Sequence, residues 1–471
     1  MIPSTRRDVR IGVVRSRGLE HPQPYEYTAN ISRDADDEYF SDGLAEEIIN
    51  ALTQVSGLKV IARTSAFAFK GKNEDVRKIA ETLGVTNVLE GSVRRAGNRL
   101  RVTAQLIQAT DGSHLWSQRY DREMTDVFAV QDEISAAIGE QLKVRLTGSK
   151  RQTTNLPAYE AFLEGRHHWY TFSPEEVRKG LECYEKAIAL DPAYAPPHAG
   201  VSEYYMSSAV LGLADPREVI PKCEAVARRA LELDPTLAEA HSMLGHVSAF
   251  RYLWDEARKH FVHSIELGSG LTHARHPYIV WYLAPQGLLE EALRETDRGL
   301  GQDPLSPLLR RTKGVVLYYL RRFGEAAEWY RRALDINPLE WVAANGLARA
   351  CARQHQFEEA TAAAEQAVQA SGRSYYPLAV LGSVHAMAGR VEEAHHVLAE
   401  LRQLAETRYV PAGPVAMLHA QLGENDVAFE WASKAVEQYD PLLLWIKVEP
   451  AFDSLRSDPR YPPLLQKMNL A

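Results

Sequence analysis

The 471-residue sequence predicts an α/β head domain, a small mixed sheet with helices, followed by an all-α solenoid of repeated helix pairs. Three observations indicate this division. Strand-like and helix-like patterns alternate between residues 37 and 146. A small residue then returns every 34 or 35 residues through the second half of the chain, as in helical repeat proteins. A polar stretch that ends at Pro157 separates the two patterns.

The head begins with an amphipathic helix over residues 37–55, where apolar residues recur at steps of three and four. A helix over residues 76–83 is closed by Gly84, which favours a left-handed turn. The pattern around Gly97 is typical of a β-hairpin. The other predicted elements are strands at 58–62, 87–95, 99–108 and 114–120 and a helix at 127–146.

We expect residues 1–30 to be an irregular or disordered leader, because Gly18, His21, Pro22 and Pro24 are typical of a loop. An alternative is that Ile11 to Val14 forms a strand. The predicted boundaries place the head at 31–147 and a linker at 148–156.

Each solenoid unit is predicted to be a helix, a turn, a second helix and a stop. Ala326 is followed by Tyr330, Ala333 and Pro338, so one helical face carries the first three and the proline ends the helix. Gly314 stands 12 residues before Ala326 on the opposing helix. Small residues at these positions let two antiparallel helices approach closely while the bulky residue fills the gap.

This order of small and bulky residues resembles the tetratricopeptide repeat. The resemblance covers residues 157–440, about eight units, and residues 441–471 are predicted to form a C-terminal cap over the last open helix face. It implies a protein or peptide partner, with the first helix of each pair lining the concave wall.

Four segments of the head carry a second resemblance: DEYFSDGL from Asp37, VIARTSAF from Val60, LEGSVRR from Leu89 and LWSQRYDRE from Leu115. They resemble the bacterial TolB amino-terminal-like (FlgO-like) domain. In that family the domain commonly precedes tetratricopeptide repeats in signalling proteins, behind an adenylate cyclase or winged-helix module. The resemblance implies a regulatory or assembly role and no catalysis.

The net charge of −8 falls entirely on residues 151–471, which carry 33 basic and 41 acidic residues. This balance disfavours a nucleic-acid partner. The three cysteines show no paired spacing, which favours core residues in a reducing compartment. No run of 18 apolar residues predicts a membrane span. We therefore expect a cytoplasmic chain, or a periplasmic one only if an upstream membrane-spanning segment is missing.

Motifs for catalysis and for cofactors are absent from the sequence. It contains no HExxH and no GxSxG motif, and the histidine pairs such as His167 and His168 have no evident third ligand. Lys70 to Lys72 lacks the glycine that a phosphate loop needs. We predict no enzymatic activity, no cofactor and no metal.

The repeat period predicts a partner-binding site on the concave face. Counting 34 residues places Arg311 level with Asn345, and Arg349 and Arg353 follow on the same helical face. This set weakly resembles the carboxylate clamp of chaperone-binding tetratricopeptide proteins. The tyrosines expected to add apolar contact are Tyr318, Tyr319 and Tyr376. The alternative is that these arginines are solvated or paired with neighbouring glutamates.

Four arginines on the predicted hairpin, Arg94, Arg95, Arg99 and Arg101, form a possible anion contact. Solvated charges at a hairpin tip are the competing interpretation.

Two hypotheses for function follow. In the first, the chain is a non-enzymatic scaffold of bacterial signalling or assembly whose concave face binds a partner peptide or helix. In the alternative, it is the sensory or regulatory half of a transcriptional or cyclic-nucleotide signalling system that binds a ligand through the head.

Overall fold

The computed structural model describes residues 9–15, 35–53, 58–69, 74–96, 98–142, 153–169, 174–268 and 272–471. The head is a five-stranded mixed sheet with four helices. Its strands are β1 (Val9–Arg15), β2 (Leu58–Val60), β3 (Asn87–Ala96), β4 (Arg99–Gln108) and β5 (His114–Glu123). Its helices are α1 (Ala35–Thr53), α2 (Arg63–Phe67), α3 (Val76–Leu83) and α4 (Val127–Gln141).

The strand order is β2-β1-β3-β4-β5, with β1 parallel to both of its neighbours and β3, β4 and β5 antiparallel. The prediction of an irregular leader is therefore wrong for residues 9–15, and the alternative of a strand at Ile11 to Val14 is confirmed. β1 forms its backbone hydrogen bonds with β2 and β3, which follow much later in the chain. The sequence near β1 is typical of a loop, and it does not reveal these distant pairing partners. The remainder of the leader lies outside the described residues.

Local chemistry explains the limits of α3 and of the hairpin. The Asp75 carboxylate accepts a hydrogen bond from the Arg77 backbone N–H at 2.9 Å and caps the start of α3. Gly84 ends the helix with φ of 64°, a left-handed conformation that costs glycine little. The hairpin register pairs Arg94 with Arg101. The head core lies between α1, α4 and the sheet.

The solenoid contains eight helix pairs in the described ranges. They are α5 (Leu156–Trp169) with α6 (Pro174–Leu190), α7 (Ala195–Val210) with α8 (Pro216–Leu233), α9 (Ala238–Phe250) with α10 (Trp254–Leu267), α11 (Thr272–Pro277) and α12 (Ala284–Gln286) with α13 (Leu289–Leu300), α14 (Pro307–Tyr319) with α15 (Phe323–Leu334), α16 (Trp341–Ala352) with α17 (Phe357–Ala370), α18 (Tyr375–Met387) with α19 (Val391–Ala405), and α20 (Ala412–Gln421) with α21 (Asn425–Glu437). A π-helical stretch, Tyr278–Leu283, joins α11 to α12. Residues 148–152 of the predicted linker lie outside the description.

The turn inside six successive pairs repeats one backbone conformation. A residue with positive φ stands there at intervals of 35 or 34 residues: Tyr252, Gly287, Arg321, His355, Gly389 and Gly423. The period that the small residues predict is therefore the period of the backbone.

Glycines on first helices provide space for aromatic side chains of second helices, as the sequence predicts. The fully buried Tyr330 ring packs against Gly314 and Gly346. A Cβ added to Gly314 would lie 2.8 Å from the ring, and one added to Gly346 would overlap it more severely. The tyrosine therefore joins its own pair to the next one.

We expect Gly346→Ala to lower the free energy of unfolding by about 1–3 kcal/mol, because the added methyl group must displace the buried Tyr330 ring. The matched control is Gly324→Ala near the exposed start of α15, where the nearest atom, Gln354 Oε1, is 3.4 Å from the added Cβ. That change should be neutral or stabilising by up to about 1 kcal/mol, because alanine favours a helix. Urea denaturation of both variants measures the difference, and equal effects would contradict the packing described.

A segment of 30 residues near the C-terminus contacts several separated helix pairs. This C-terminal segment, residues 441–470, contains two 3₁₀ stretches, Pro441–Leu443 and Pro450–Leu455, and α22 (Tyr461–Lys467). Trp445 donates to the Val280 carbonyl at 2.8 Å, and the Ala451 carbonyl accepts from Gln421 at 2.6 Å. The Met468 carbonyl accepts from Trp254 at 2.8 Å, beyond the end of α9.

One short segment can reach the third, fourth and eighth pairs only from the side toward which the stack curves. The segment packs against α20 and α21, where the sequence predicts a cap, and it also extends along the first helices of earlier pairs on the concave side of the solenoid. The Tyr375 hydroxyl also donates to the Val210 carbonyl at 2.5 Å, so the seventh pair meets the second. The sequence pattern carries no information on this curvature.

None of the helices in the described ranges has the length and apolar composition that a membrane-spanning helix needs.

Candidate functional site

The residues of the predicted clamp lie on three first helices: Arg311, Tyr318 and Tyr319 on α14, Asn345 and Arg349 on α16 with Arg353 directly after its end, and Tyr376 on α18. The three arginines and Tyr376 are partly buried. Tyr318, Tyr319 and Asn345 are only 2%, 5% and 2% exposed. The C-terminal segment covers the adjacent part of the concave face. The predicted site is therefore part of the protein interior and does not form an open groove.

Arg349 does bind a carboxylate, but the carboxylate is Glu449 of the same chain. The two side chains form an ion pair and are only 12% and 7% exposed. The Arg349 guanidinium lies 4.4 Å from the centre of the Tyr318 ring, and it donates to the Tyr376 hydroxyl at 3.3 Å. A carboxylate clamp is thus assembled, and it holds the C-terminal segment.

The second oxygen of Glu449 is also engaged. It accepts from the Tyr318 hydroxyl at 3.2 Å and from the Ala451 backbone N–H at 3.1 Å. Burial, together with the negative charge of Glu449, raises the pKa of Tyr318 to about 12. Tyr318 therefore remains a hydrogen-bond donor to the carboxylate at neutral pH.

The other two arginines of the predicted clamp have separate partners. Arg311 pairs with Glu340 at 2.5 Å, and Glu340 also accepts from the Ala343 N–H to cap α16. Arg353 donates to Gln421 at 3.1 Å. The alternative of pairing with glutamates is therefore correct for Arg311 and Arg349, and the four donors do not converge on one external ligand.

The hairpin arginines that the description includes are paired within the sheet. Arg99 and Arg101 of β4 both donate to Asp121 of β5, at 2.6 and 2.7 Å. Hydrogen bonds from Arg101 and Arg99 lower the pKa of Asp121 to about 2. Both predicted anion contacts therefore already hold an internal carboxylate, while the side chains of Arg94 and Arg95 lie outside the described part.

Two of the three cysteines, Cys223 and Cys351, are buried and have the properties of core thiols. Burial raises the pKa of Cys223 to about 12 and that of Cys351 to about 11. Thiols with such pKa values stay protonated at neutral pH and are poor nucleophiles.

The longer of the two edge strands in the described part of the head is β5, which pairs with β4 on one side and ends the sheet on the other. Tyr120 is its only buried residue. Charged residues cluster in its second half, whereas its first half, His114 to Gln118, lacks acidic or basic groups other than the histidine and is exposed except for the partly buried Trp116. Leu115 is 39% exposed there. The alternating pattern predicts this strand, but its edge position depends on the sheet order.

The head is joined to the solenoid at two places. At the first pair, Glu46 of α1 forms ion pairs with Arg166 and, at 3.4 Å, with Arg63. At the turn between the fourth and fifth pairs, the Asp303 carboxylate accepts from the Ser65 N–H at 2.9 Å. The head core is continuous with the core of the first pair. Head and solenoid are therefore coupled through both contacts.

The tetratricopeptide repeat family model matches residues 280–340 and 312–375. A Rhizobium meliloti protein named "Putative adenylate cyclase 3" is 37% identical over 236 residues, which are 48% of this chain and 40% of that protein. The Salmonella typhimurium protein "Transcriptional regulator HilA" is 24% identical over 306 residues, 63% of this chain and 55% of that protein. The chain thus spans about half the length of these relatives.

Among solved structures, one from a functional characterisation of Pseudomonas aeruginosa PilF is 18% identical, with a TM-score of 0.34. The match covers 49% of this chain and 98% of that one. Tetratricopeptide repeat proteins generally mediate protein–protein interactions, and their fold is typically that of a non-enzymatic scaffold.

Proposed function

We propose that this protein is a non-enzymatic scaffold in bacterial signalling, and that its partner protein binds on the exterior of the head as an extended strand beside β5. Two observations together carry the proposal. The sheet of the head has an edge strand, and the concave face of the solenoid is filled by the C-terminal segment of the same chain.

The energetics of the C-terminal segment disfavour partner binding on the concave face. Eight of its apolar side chains are at most 4% exposed: Leu443, Leu444, Ile446, Phe452, Leu455, Leu464, Met468 and Leu470. At about 1.5–3 kcal/mol each, their burial contributes about 12–24 kcal/mol. A partner with nanomolar affinity gains about 12 kcal/mol on binding. Displacing the segment would therefore cost at least as much free energy as a partner with nanomolar affinity gains on binding.

A partner that binds at the first half of β5 does not have to displace the C-terminal segment. Backbone N–H and C=O groups on the outer side of an edge strand can pair with an extended segment of another protein. Edge strands are often protected by charged residues, and here these occupy the second half of β5, from Arg119 to Glu123. His114 to Gln118 is the part that the partner strand would pair with.

The test compares two charge-introducing variants in the full chain. Leu115→Lys/Ser117→Lys places two charges beside the proposed pairing edge, and we expect it to weaken binding of a purified partner by about tenfold or more. The control, Leu339→Lys, adds a charge at a solenoid residue that is 77% exposed, and binding should not change. The partner is first obtained by affinity purification and mass spectrometry. Equal affinities for the parent and the double variant would refute the edge-strand proposal.

A variant at the inner face separates this proposal from binding on the concave side. Arg353 lies in the interior beside Gln421, so Arg353→Gln should not alter partner affinity if the partner binds at β5. Loss of binding in Arg353→Gln, with β5 variants unaffected, would restore the concave face as the binding site.

The names of the relatives favour a second candidate, a regulatory half of a transcriptional or cyclic-nucleotide signalling system. The two-point attachment of the head supports it, because binding at the head could be transmitted to the turn that contains Asp303. Hydrogen exchange of residues 302–305 measures this coupling. Exchange there should slow or accelerate when a partner or ligand binds the head, and unchanged exchange would count against the regulatory role.

A further inference from the structure

Three side chains with different metal-binding chemistry meet between α5 and α6 of the first helix pair. They are Glu164 and His168 of α5 and Cys183 of α6. One ligand atom from each lies within 4.8 Å of the ligand atoms of the other two. All three residues are partly exposed, so an ion in solution can reach them.

Helix geometry brings these groups together. Glu164 and His168 are four residues apart and therefore share one face of α5. The two helices approach closely beside these side chains. A Cβ added to Gly180 would lie only 3.2 Å from the Gly165 carbonyl oxygen and 3.7 Å from the His168 Cβ. Glycines at the crossing thus bring Cys183 within reach of the opposite helix.

A carboxylate orients His168. The ring atom Nδ1 lies 2.7 Å from Glu176 Oε2, which fixes the ring by a hydrogen bond. When a carboxylate holds one imidazole nitrogen in this way, the other nitrogen is prepared to bind a metal, and such outer carboxylates are common around protein zinc. Glu176 is therefore a positioning residue in the arrangement.

We propose that Glu164, His168 and Cys183 form a zinc-binding site, with water as the fourth ligand. Carboxylate, imidazole and thiolate are the three protein ligand types of zinc, and a thiolate disfavours Mg²⁺ and Ca²⁺. Zinc–ligand bonds of about 2.0–2.3 Å place neighbouring ligand atoms of a tetrahedral site about 3.3–3.8 Å apart. Because the present separations are at most 4.8 Å, the ligand atoms would have to approach one another by no more than about 1–1.5 Å.

Zinc bound there would join α5 to α6 directly beside the contact with the head, since Arg166 of α5 pairs with Glu46. A ligand that binds only the folded chain stabilises it in proportion to the logarithm of its concentration over Kd. The site is thus a cross-link at the start of the solenoid, independent of where a partner protein binds.

The first test is a Zn²⁺ titration of the metal-free full chain in competition with a chromogenic chelator. We expect one ion per chain at this site. Cys183→Ser and His168→Gln should each weaken binding by more than about 100-fold, and Glu176→Gln by about tenfold because it loosens the ring without removing a ligand. The control is His167→Gln on the same helix, whose side chain is exposed; its affinity for zinc should equal that of the parent.

Co²⁺ provides a readout that does not depend on stability. A bound thiolate gives Co²⁺ an intense sulfur-to-metal charge-transfer absorption in the near ultraviolet, which we expect in the parent and in His167→Gln but not in Cys183→Ser. Circular dichroism verifies that each variant remains helical. If Cys183→Ser does not fold, the Co²⁺ spectrum of the parent and the Zn²⁺ affinity of His168→Gln test the site instead. Absence of this absorption in the parent, or unchanged Zn²⁺ affinity in folded Cys183→Ser or His168→Gln, would overturn the proposal.

Discussion

Replacing Glu449 by glutamine is expected to lower the free energy of unfolding by about 3–5 kcal/mol. The change leaves the Arg349 guanidinium buried beneath the C-terminal segment without its counter-charge. Removing one partner of a buried ion pair costs this much because the remaining charge is neither solvated nor paired. The glutamine is nearly isosteric, so the effect reports on charge and not on volume. Urea denaturation followed by tryptophan fluorescence measures it.

The matched control is Glu359→Gln, which removes the partner of Arg331 from a pair whose side chains are 44% and 43% exposed. Exposed ion pairs contribute about 0–1 kcal/mol, so this variant should be almost as stable as the parent. A loss below about 1 kcal/mol for Glu449→Gln would show that the pair is solvated and that the C-terminal segment does not seal the concave face.

A double variant shows whether the loss of stability comes from an unpaired charge at Arg349 or from altered packing around Glu449. Arg349→Met/Glu449→Leu removes both charges and keeps apolar volume, so it should lose less stability than Glu449→Leu alone. Such a result would assign the cost of the single variant to an unpaired buried cation. It would also mean that the pair fixes the position of the segment more than it adds net stability.

Most head elements and the repeat period follow from local patterns, whereas tertiary contacts do not. The helix over 76–83 has the predicted limits because its N-cap at Asp75 and its end at Gly84 are encoded within a few residues. β1 differs because its pairing partners lie in β2 and β3, far along the chain. Propensity alone does not identify a strand that distant neighbours stabilise.

The candidate site illustrates the same limit. Residue types and the 34-residue period predict a clamp for the carboxylate of a partner, whereas the carboxylate that Arg349 binds belongs to Glu449 of the same chain. They do not identify Glu449, which is 100 residues away and reaches Arg349 only because the solenoid curves around its own end. The period gives equivalent positions in successive pairs but not the angle between pairs. Whether a concave face is open therefore has to be read from the structure.

The closed interior changes what the repeats contribute to function. An open solenoid presents its first helices to a partner, but here the side chains at the centre of that wall, such as Tyr318 and Tyr319, are core residues. This is why we propose that a partner binds on the exterior, at the edge of β5. The attachment of the head through Glu46 and Asp303 holds that edge at a fixed position relative to the repeats.

Phe452→Ala is expected to lower the free energy of unfolding by about 3–5 kcal/mol, because the ring is 2% exposed and the surrounding side chains cannot fill the cavity left behind. If the C-terminal segment were a loosely attached strap, truncating one of its side chains would cost little, since the segment could detach while the repeats stayed folded. Trp445, whose ring centre is 4.8 Å from that of Trp281, reports on detachment through the part of the fluorescence change that Trp445→Phe removes, since the chain has eight tryptophans. We expect this signal and the helical circular dichroism to be lost at the same, lowered urea concentration, while the control Leu339→Ala, at a residue that is 77% exposed, leaves the midpoint unchanged. Loss of the Trp445 signal well before the helices unfold would show instead that the segment is separable, and the concave face would again be available to a partner.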